Sequence, residues 1–142
     1  MSAEKDGREA LRWLRTAEGD LTTARVLLAA GRYAHACFHA HQAAEKAVKS
    51  GAYLLGGDPW GHSVQELIAA LAELAPDGFP ALARLAVQGA RLDRFYIPTR
   101  YPNGLPQETP DDAFFDDDAR WAIEAAGEIV AVLRTGLTGW PA

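Results

Sequence analysis

The sequence predicts an all-α protein: an antiparallel up-and-down bundle of four long helices plus one short helix, forming a single domain over residues 1–142. Three observations predict it. Alanine and leucine dominate a hydrophobic share of 49%, while valine, isoleucine and threonine are few, which favours helix over sheet. Apolar residues recur at three- and four-residue spacing through long windows. The windows close at glycine or proline, the residues that stop helices.

The first window runs from Glu4 to Ala30. Leu11, Leu14, Leu21 and Leu28 recur at helical spacing, with Trp13, Ala17 and Ala24 beside them, and Gly31 supplies the C-cap. The second runs from Arg32 to Leu55. At about 100° per residue, Tyr33, Ala36, Cys37, Ala40, Ala43, Ala44, Ala47, Val48 and Leu54 share one broad face. Alanines predominate on it, so neighbouring helices can approach closely and this helix should be central. Gly56 and Gly57 stop it, and Pro59 delays a restart. Ser63 followed by Glu66 reads as a capping box for a short helix with Leu67, Ile68, Leu71 and Leu74 inward, ended by Pro76 and Gly78. A fourth helix is predicted from Pro80 to Tyr96, its stripe being Leu82, Leu85, Gly89, Leu92 and Tyr96. Residues 97–109, IPTRYPNGLPQET, cannot be helical because of Pro98, Pro102 and Pro106. The last helix should start at Thr109 as N-cap with Pro110 and Asp111–Asp112 behind it. It should bury Phe114, Phe115, Trp121, Ala122, Ile129, Val132 and Leu133, and end at Gly136.

A length of 142 residues suits one domain with a core that needs no staples. Cys37 is the single cysteine, so no internal disulfide forms. The N-terminus MSAEKDGREA lacks an apolar signal core, and no window reaches the length of a membrane span. A cytoplasmic location is expected. Net charge is −5, and residues 101–142 hold 8 acidic against 2 basic side chains. A general nucleic-acid coat would be basic, so any anion site must be local.

Two segments carry polar chemistry. Arg32, His35, His39, Gln42, Lys46 and Lys49 form one stripe of the second helix, within roughly 80° of one another. By itself such a stripe is most simply a solvated face. Glu45 and His41 lie at the border of the apolar face, where a buried carboxylate needs a partner such as His41, Lys49 or an arginine from elsewhere. The second segment, ARLDRFYIPTRYPNG at residues 90–104, interleaves Arg91, Arg94 and Arg100 with Phe95, Tyr96 and Tyr101. Guanidinium groups pair with phosphate oxygens and aromatic faces stack on bases. The structural alternative is a proline-rich strap over the bundle, with Arg100 paired to the Asp111–Asp118 cluster. His35 and His39 have metal-ligand spacing, but no carboxylate shares their stripe, so no metal is assigned. No P-loop or dinucleotide fingerprint is present.

The stretch GRYAHACFHAHQAAEKAVKSGAYLLGG resembles the hallmark helix of HEPN domains, a G-x-Y start followed by Q-A-A-E-K-A-x-K. Gly31, Tyr33, Gln42, Ala43, Ala44, Glu45, Lys46, Ala47 and Lys49 stand in register. Ala17, Asp20, Leu21 and Ala24 match the family's A-x-x-D-L-x-x-A. His62-Ser63 with Leu67 is similar to H-S-L-x-x-L, with Val64 for the first leucine, and Arg100-Tyr101-Pro102 matches R-Y-P.

The resemblance implies a helical bundle, often dimeric, linked to nucleotide binding. It also implies a minimal nucleotidyltransferase as partner protein in a toxin–antitoxin-type pair. Another branch of the family consists of metal-independent endoribonucleases with a late R-x(4–6)-H motif. Here no histidine follows His62. Arg94 and Tyr101 keep the arginine and tyrosine of the R-x4-H-x-Y variant, with Thr99 in the histidine position. Neutral acid–base chemistry then has no obvious agent. The leading expectation is a non-catalytic module for an ATP-like nucleotide, needing no cofactor and no metal. Its site would comprise Gln42, Lys46, Lys49, His62, Tyr96, Arg100 and Tyr101. Lys46, Lys49 and Arg100 would neutralise phosphate, Tyr96 or Tyr101 would stack on the base, and His62 would line the entrance. The catalytic alternatives are Arg94 with Tyr101, or Arg32 with His39. The third reading is a structural homodimer or interaction module.

Overall fold

A computed structural model of the chain describes residues 2–140, and among them every regular element is helical. Helix α1 spans Ser2–Ala29 and α2 spans Tyr33–Leu54. Between them Gly31 adopts φ 75°, a left-handed conformation that glycine takes without steric cost. The Gly31 and Arg32 amides donate to the Leu28 and Leu27 carbonyls, closing the end of α1 as a Schellman motif. The hairpin is antiparallel: Trp13 meets Tyr53, while Asp20 meets Lys46 and, further back, His39.

Helix α2 is central, packing against α1 and the last helix, α6 (Asp116–Thr138), as well as the shorter elements. Its buried face includes Ala34, Ala36, Ala40, Ala43, Ala44 and Ala47. Small side chains bring the partner backbones close, as the sequence implies. Among the described residues, no helix is long and apolar enough to cross a membrane.

Helix α3 spans Val64–Leu74, and Ser63 Oγ accepts the Glu66 amide as the capping box requires. Three expectations are corrected. The fourth long helix is not continuous. A 3-10 turn at Ala83–Leu85 precedes α4, which covers only Ala86–Asp93, and Arg94, Phe95 and Tyr96 follow as i→i+3 turns. Pro98 disfavours the α conformation for the residue before it, so the chain tightens before it reaches the strap. The bundle therefore has three long helices.

The last predicted helix is also split. Pro110–Ala113 forms one isolated turn, α5, and Phe114–Phe115 is extended. Phe114 docks edge-on against Phe95, 5.8 Å between centroids, drawing the backbone out of helical register. Phe115 is exposed, not core. Thr109 does not accept an amide; its hydroxyl donates to Asp112. The true start is marked by Asp118, whose carboxylate accepts the Phe115 amide at 2.8 Å.

Finally, Gly136 does not end α6, which continues to Thr138. A side chain at Gly136 would strike the Phe79 ring, so this glycine makes room inside the helix. Phe79 stacks in turn on Trp140, centroids 6.0 Å apart. Pro141 lies outside the described residues.

Candidate functional site

Along the middle of α2 the connection before α3, the end of α4 and the strap meet. The junction is built on Asp93, the last residue of α4. Its carboxylate accepts hydrogen bonds from His41 Nε2 (3.0 Å), Ser63 Oγ (2.9 Å), the Val64 amide (2.7 Å) and the Gln65 amide (3.2 Å). The two amides are unpaired donors of the α3 N-terminus, where the helix dipole also favours an anion. Burial alone would raise the Asp93 carboxyl, but the bonds from His41, the two amides and Ser63 hold it below the ordinary value. Sequence reasoning did not single out Asp93; its partners are 29 and 52 residues away, and no local pattern announces them.

The connection thus pinned places His62 flat against Tyr96, centroids 4.8 Å apart with 19° between planes. His62 Nδ1 is 3.1 Å from Glu45 Oε1, and Lys49 Nζ is 3.2 Å from the other carboxylate oxygen. Glu45 is buried, as its border position on α2 suggested, and Lys49 with His62 supplies the partners.

Arg100 also packs on Tyr96. Its guanidinium carbon lies 4.5 Å from the Tyr96 centroid, 4.6 Å from that of Phe38 and 5.0 Å from that of Tyr101. Its Nε–H donates to the Tyr96 carbonyl at 2.9 Å. It forms no ion pair among the described residues, and the reach to the acidic corner comes instead from Arg32, 3.6 Å from Asp111. Of five guanidinium N–H donors the four on the terminal nitrogens make no hydrogen bond among the described residues. Phe38, absent from the sequence prediction, completes the aromatic cradle; its signal would have been one aromatic among alanines in the turn of α2 before Gln42.

The structure therefore brings His62, Tyr96, Arg100, Tyr101 and Lys49 together. Lys46 is engaged elsewhere, 2.7 Å from Asp20 on α1. Gln42 is half-buried on the same stripe and makes no side-chain hydrogen bond among the described residues. His39 lies 3.9 Å from Asp20, too far for a hydrogen bond, and burial lowers its pKa against that carboxylate. Arg32 and His39 thus face different carboxylates. Arg94 is exposed. Thr99, at the position a late histidine would occupy, is buried and donates its hydroxyl to the Phe95 carbonyl. Among the described residues no cluster of three or more His, Cys, Asp or Glu is arranged to hold a metal.

The HEPN domain model matches residues 10–135. Solved structures agree. The Thermus thermophilus protein TT1696 is 35% identical, with a TM-score of 0.83 over 90% of this chain and 98% of its own. ST0689, described as an archaeal HEPN homologue, is 30% identical, with a TM-score of 0.74 over 91% of this chain and 98% of its own. The Thermotoga maritima HEPN domain protein TM0613 is 29% identical, with a TM-score of 0.68 over 91% and 99%. No curated protein matches. With its motifs in order, its bundle built and most of its length matched, this chain belongs to the HEPN domain family.

Proposed function

We propose that the chain is a nucleotide-binding module of the non-nuclease kind, acting with a nucleotidyltransferase partner in a toxin–antitoxin-type pair. The carrying observation is Arg100: a guanidinium cradled by Phe38, Tyr96 and Tyr101 whose terminal N–H groups make no hydrogen bond among the described residues. A planar fork with free donors suits a phosphate, and the exposed ring of Tyr101 suits a base. Lys46 and Lys49 already face carboxylates, which makes Arg100 the principal phosphate group of this reading. ATP at a hundredfold excess over its Kd adds about 2.7 kcal/mol of stability by mass action. The test is the melting temperature with and without millimolar ATP, in wild type and Arg100→Ala. An Arg100-dependent rise supports the reading, and a flat response in wild type sinks it.

One observation favours endoribonuclease activity as a second reading. His62 and the buried Glu45 form an imidazole–carboxylate pair against Tyr96, the ring on which Arg100 also packs, supplying from another loop an acid–base group that the strap lacks. It requires metal-independent RNA cleavage that His62→Gln abolishes; intact total RNA after incubation with wild type rules it out.

A further inference from the structure

We infer that the groove between α2 and α3, edged by Trp60, docks a helical segment of a partner protein that carries an apolar anchor flanked by lysine or arginine. The inference goes beyond the nucleotide reading and does not use the Arg100 cradle. Trp60 is the most exposed large apolar side chain among the described residues, at 84%. Its exposure is not that of a loose loop. The connection from α2 to α3 is tied at both ends. The Gly57 amide donates to the Ala52 carbonyl at 2.9 Å, while His62 bonds to Glu45 and Ser63 to Asp93. The indole is thus held out in water beside an open groove of about 320 Å³. Val48, Ala52, Leu67 and Ala70 line this groove, and Leu74, 66% exposed, stands with Trp60 at its edge. An exposed tryptophan at the edge of an apolar groove is the make-up of a protein-binding anchor point.

Charge selects the occupant. Between Lys49 and Arg84 the sequence holds Asp58, Glu66, Glu73 and Asp77 but no lysine or arginine. All four acids are exposed, and Asp58 and Glu66 line the groove. Among the described residues none of the four makes an ion pair. Both helices also end beside the groove, α2 through Ala52 and α3 at Leu74, and neither last turn contains a basic residue. A helix C-terminus is the negative end of its dipole, so side chains and backbone present the same sign. The complementary cation then comes from the partner. A second copy meeting this face about a two-fold axis would instead set acid against acid. The form of the partner follows from the walls. Helices α2 and α3 satisfy their backbone groups internally, leaving no ladder edge for an extended strand. A helix satisfies its own backbone and lays an apolar face into a groove of this kind.

The probe is a synthetic helical peptide with a leucine face flanked by lysines, beside a counterpart in which glutamate replaces every lysine. Titration followed by backbone-amide NMR gives affinity and location together. The lysine peptide should shift the amides of α3 and of residues 57–61, and bind about tenfold or more tightly than the glutamate peptide. Trp60→Ala removes a side chain that lies mostly in water, so the thermal melt should hold while affinity falls about tenfold. Asp58→Lys should weaken the lysine peptide and favour the glutamate one. Four outcomes overturn the inference: no binding, equal affinity for the two peptides, unchanged affinity in Trp60→Ala, or shifts confined to the Asp111–Asp118 corner, where Phe115 is also exposed. Sedimentation of the protein alone tests the other occupant. A dimer that Trp60→Ala dissociates would assign the groove to a second copy and overturn the inference as well.

Discussion

His41 and Asp93 are joined by a 3.0 Å hydrogen bond from a fully buried imidazole to a carboxylate that remains partly exposed. That bond ties the middle of α2 to the end of α4, while the remaining bonds of the same carboxylate start α3. Asp93→Ala leaves His41 and three N–H or O–H donors without their acceptor. The expected loss is about 2–4 kcal/mol of unfolding free energy, with Asp93→Asn intermediate because its amide oxygen still accepts. Denaturant titration measures both. Because the folded Asp93 carboxyl is held below its ordinary value, its contribution is complete above the unfolded carboxylate pKa. It is lost as pH falls below about 4. The acid limb of the stability curve should therefore be shallower in Asp93→Asn.

His39 gives the second pH-dependent contribution. Burial lowers its pKa from 6.5, and Asp20 only partly offsets this. The fold thus favours the neutral ring. Its contribution is complete above the unfolded value of 6.5 and shrinks as pH falls below it. Denaturation midpoints at about pH 5 and pH 7.5 should converge in His39→Gln relative to wild type.

Two glycines inside helices should respond in opposite directions to alanine. A methyl group at Gly19 would meet nothing within 4 Å, so Gly19→Ala should stabilise by about 0.5–1 kcal/mol. Gly136→Ala gains the same helix propensity but drives a methyl into the Phe79 ring, at a cost of about 1–3 kcal/mol. Thermal melts of the two variants should move apart.

Cys37 sits on the alanine face of α2, and burial pushes its thiol up to about 12. The thiolate is the reactive form, so a thiol reagent such as Ellman's should leave the native protein untouched at about pH 8 and label it fully in denaturant. Rapid labelling of the native state would contradict this burial.

Arg100→Lys keeps the charge but removes the planar fork and much of the stacking on Phe38, Tyr96 and Tyr101. ATP affinity in this variant should fall about tenfold or more, close to the loss in Arg100→Ala, at about 1–3 kcal/mol by calorimetry. Full retention in the lysine variant would show that charge alone suffices.

The long helices were legible because period and punctuation agree: the Leu14–Leu21–Leu28 spacing and Gly31 mark α1 almost to the residue. The breaks were not. Leu82, Leu85, Gly89, Leu92 and Tyr96 keep a helical period across a 3-10 turn, a short α-helix and a run of turns, because both helix types return a side chain to one face after three or four residues. Likewise, Pro110 and Asp111 are good starting residues, but the helix they start ends where Phe114 finds Phe95. The site was legible as a set of residue types and not as a set of bonds. Pattern and resemblance single out Tyr96, Arg100 and His62, which the fold brings together, whereas Asp93 and Phe38 enter through contacts that only the packed chain supplies.

The alanine face of α2 has a further consequence. An alanine has no rotamer to freeze, so ordering it costs no side-chain entropy; Ala36, Ala40, Ala43, Ala44 and Ala47 enter the core already in their bound shape. The same economy leaves the seam without slack. A leucine there can borrow space from a flexible neighbour, but helices this close can only move apart to admit a larger group. Substitutions in the seam should therefore change the spacing of whole helices, and with it the alignment of α2 with the Asp93 junction, before they change the local packing of any one side chain.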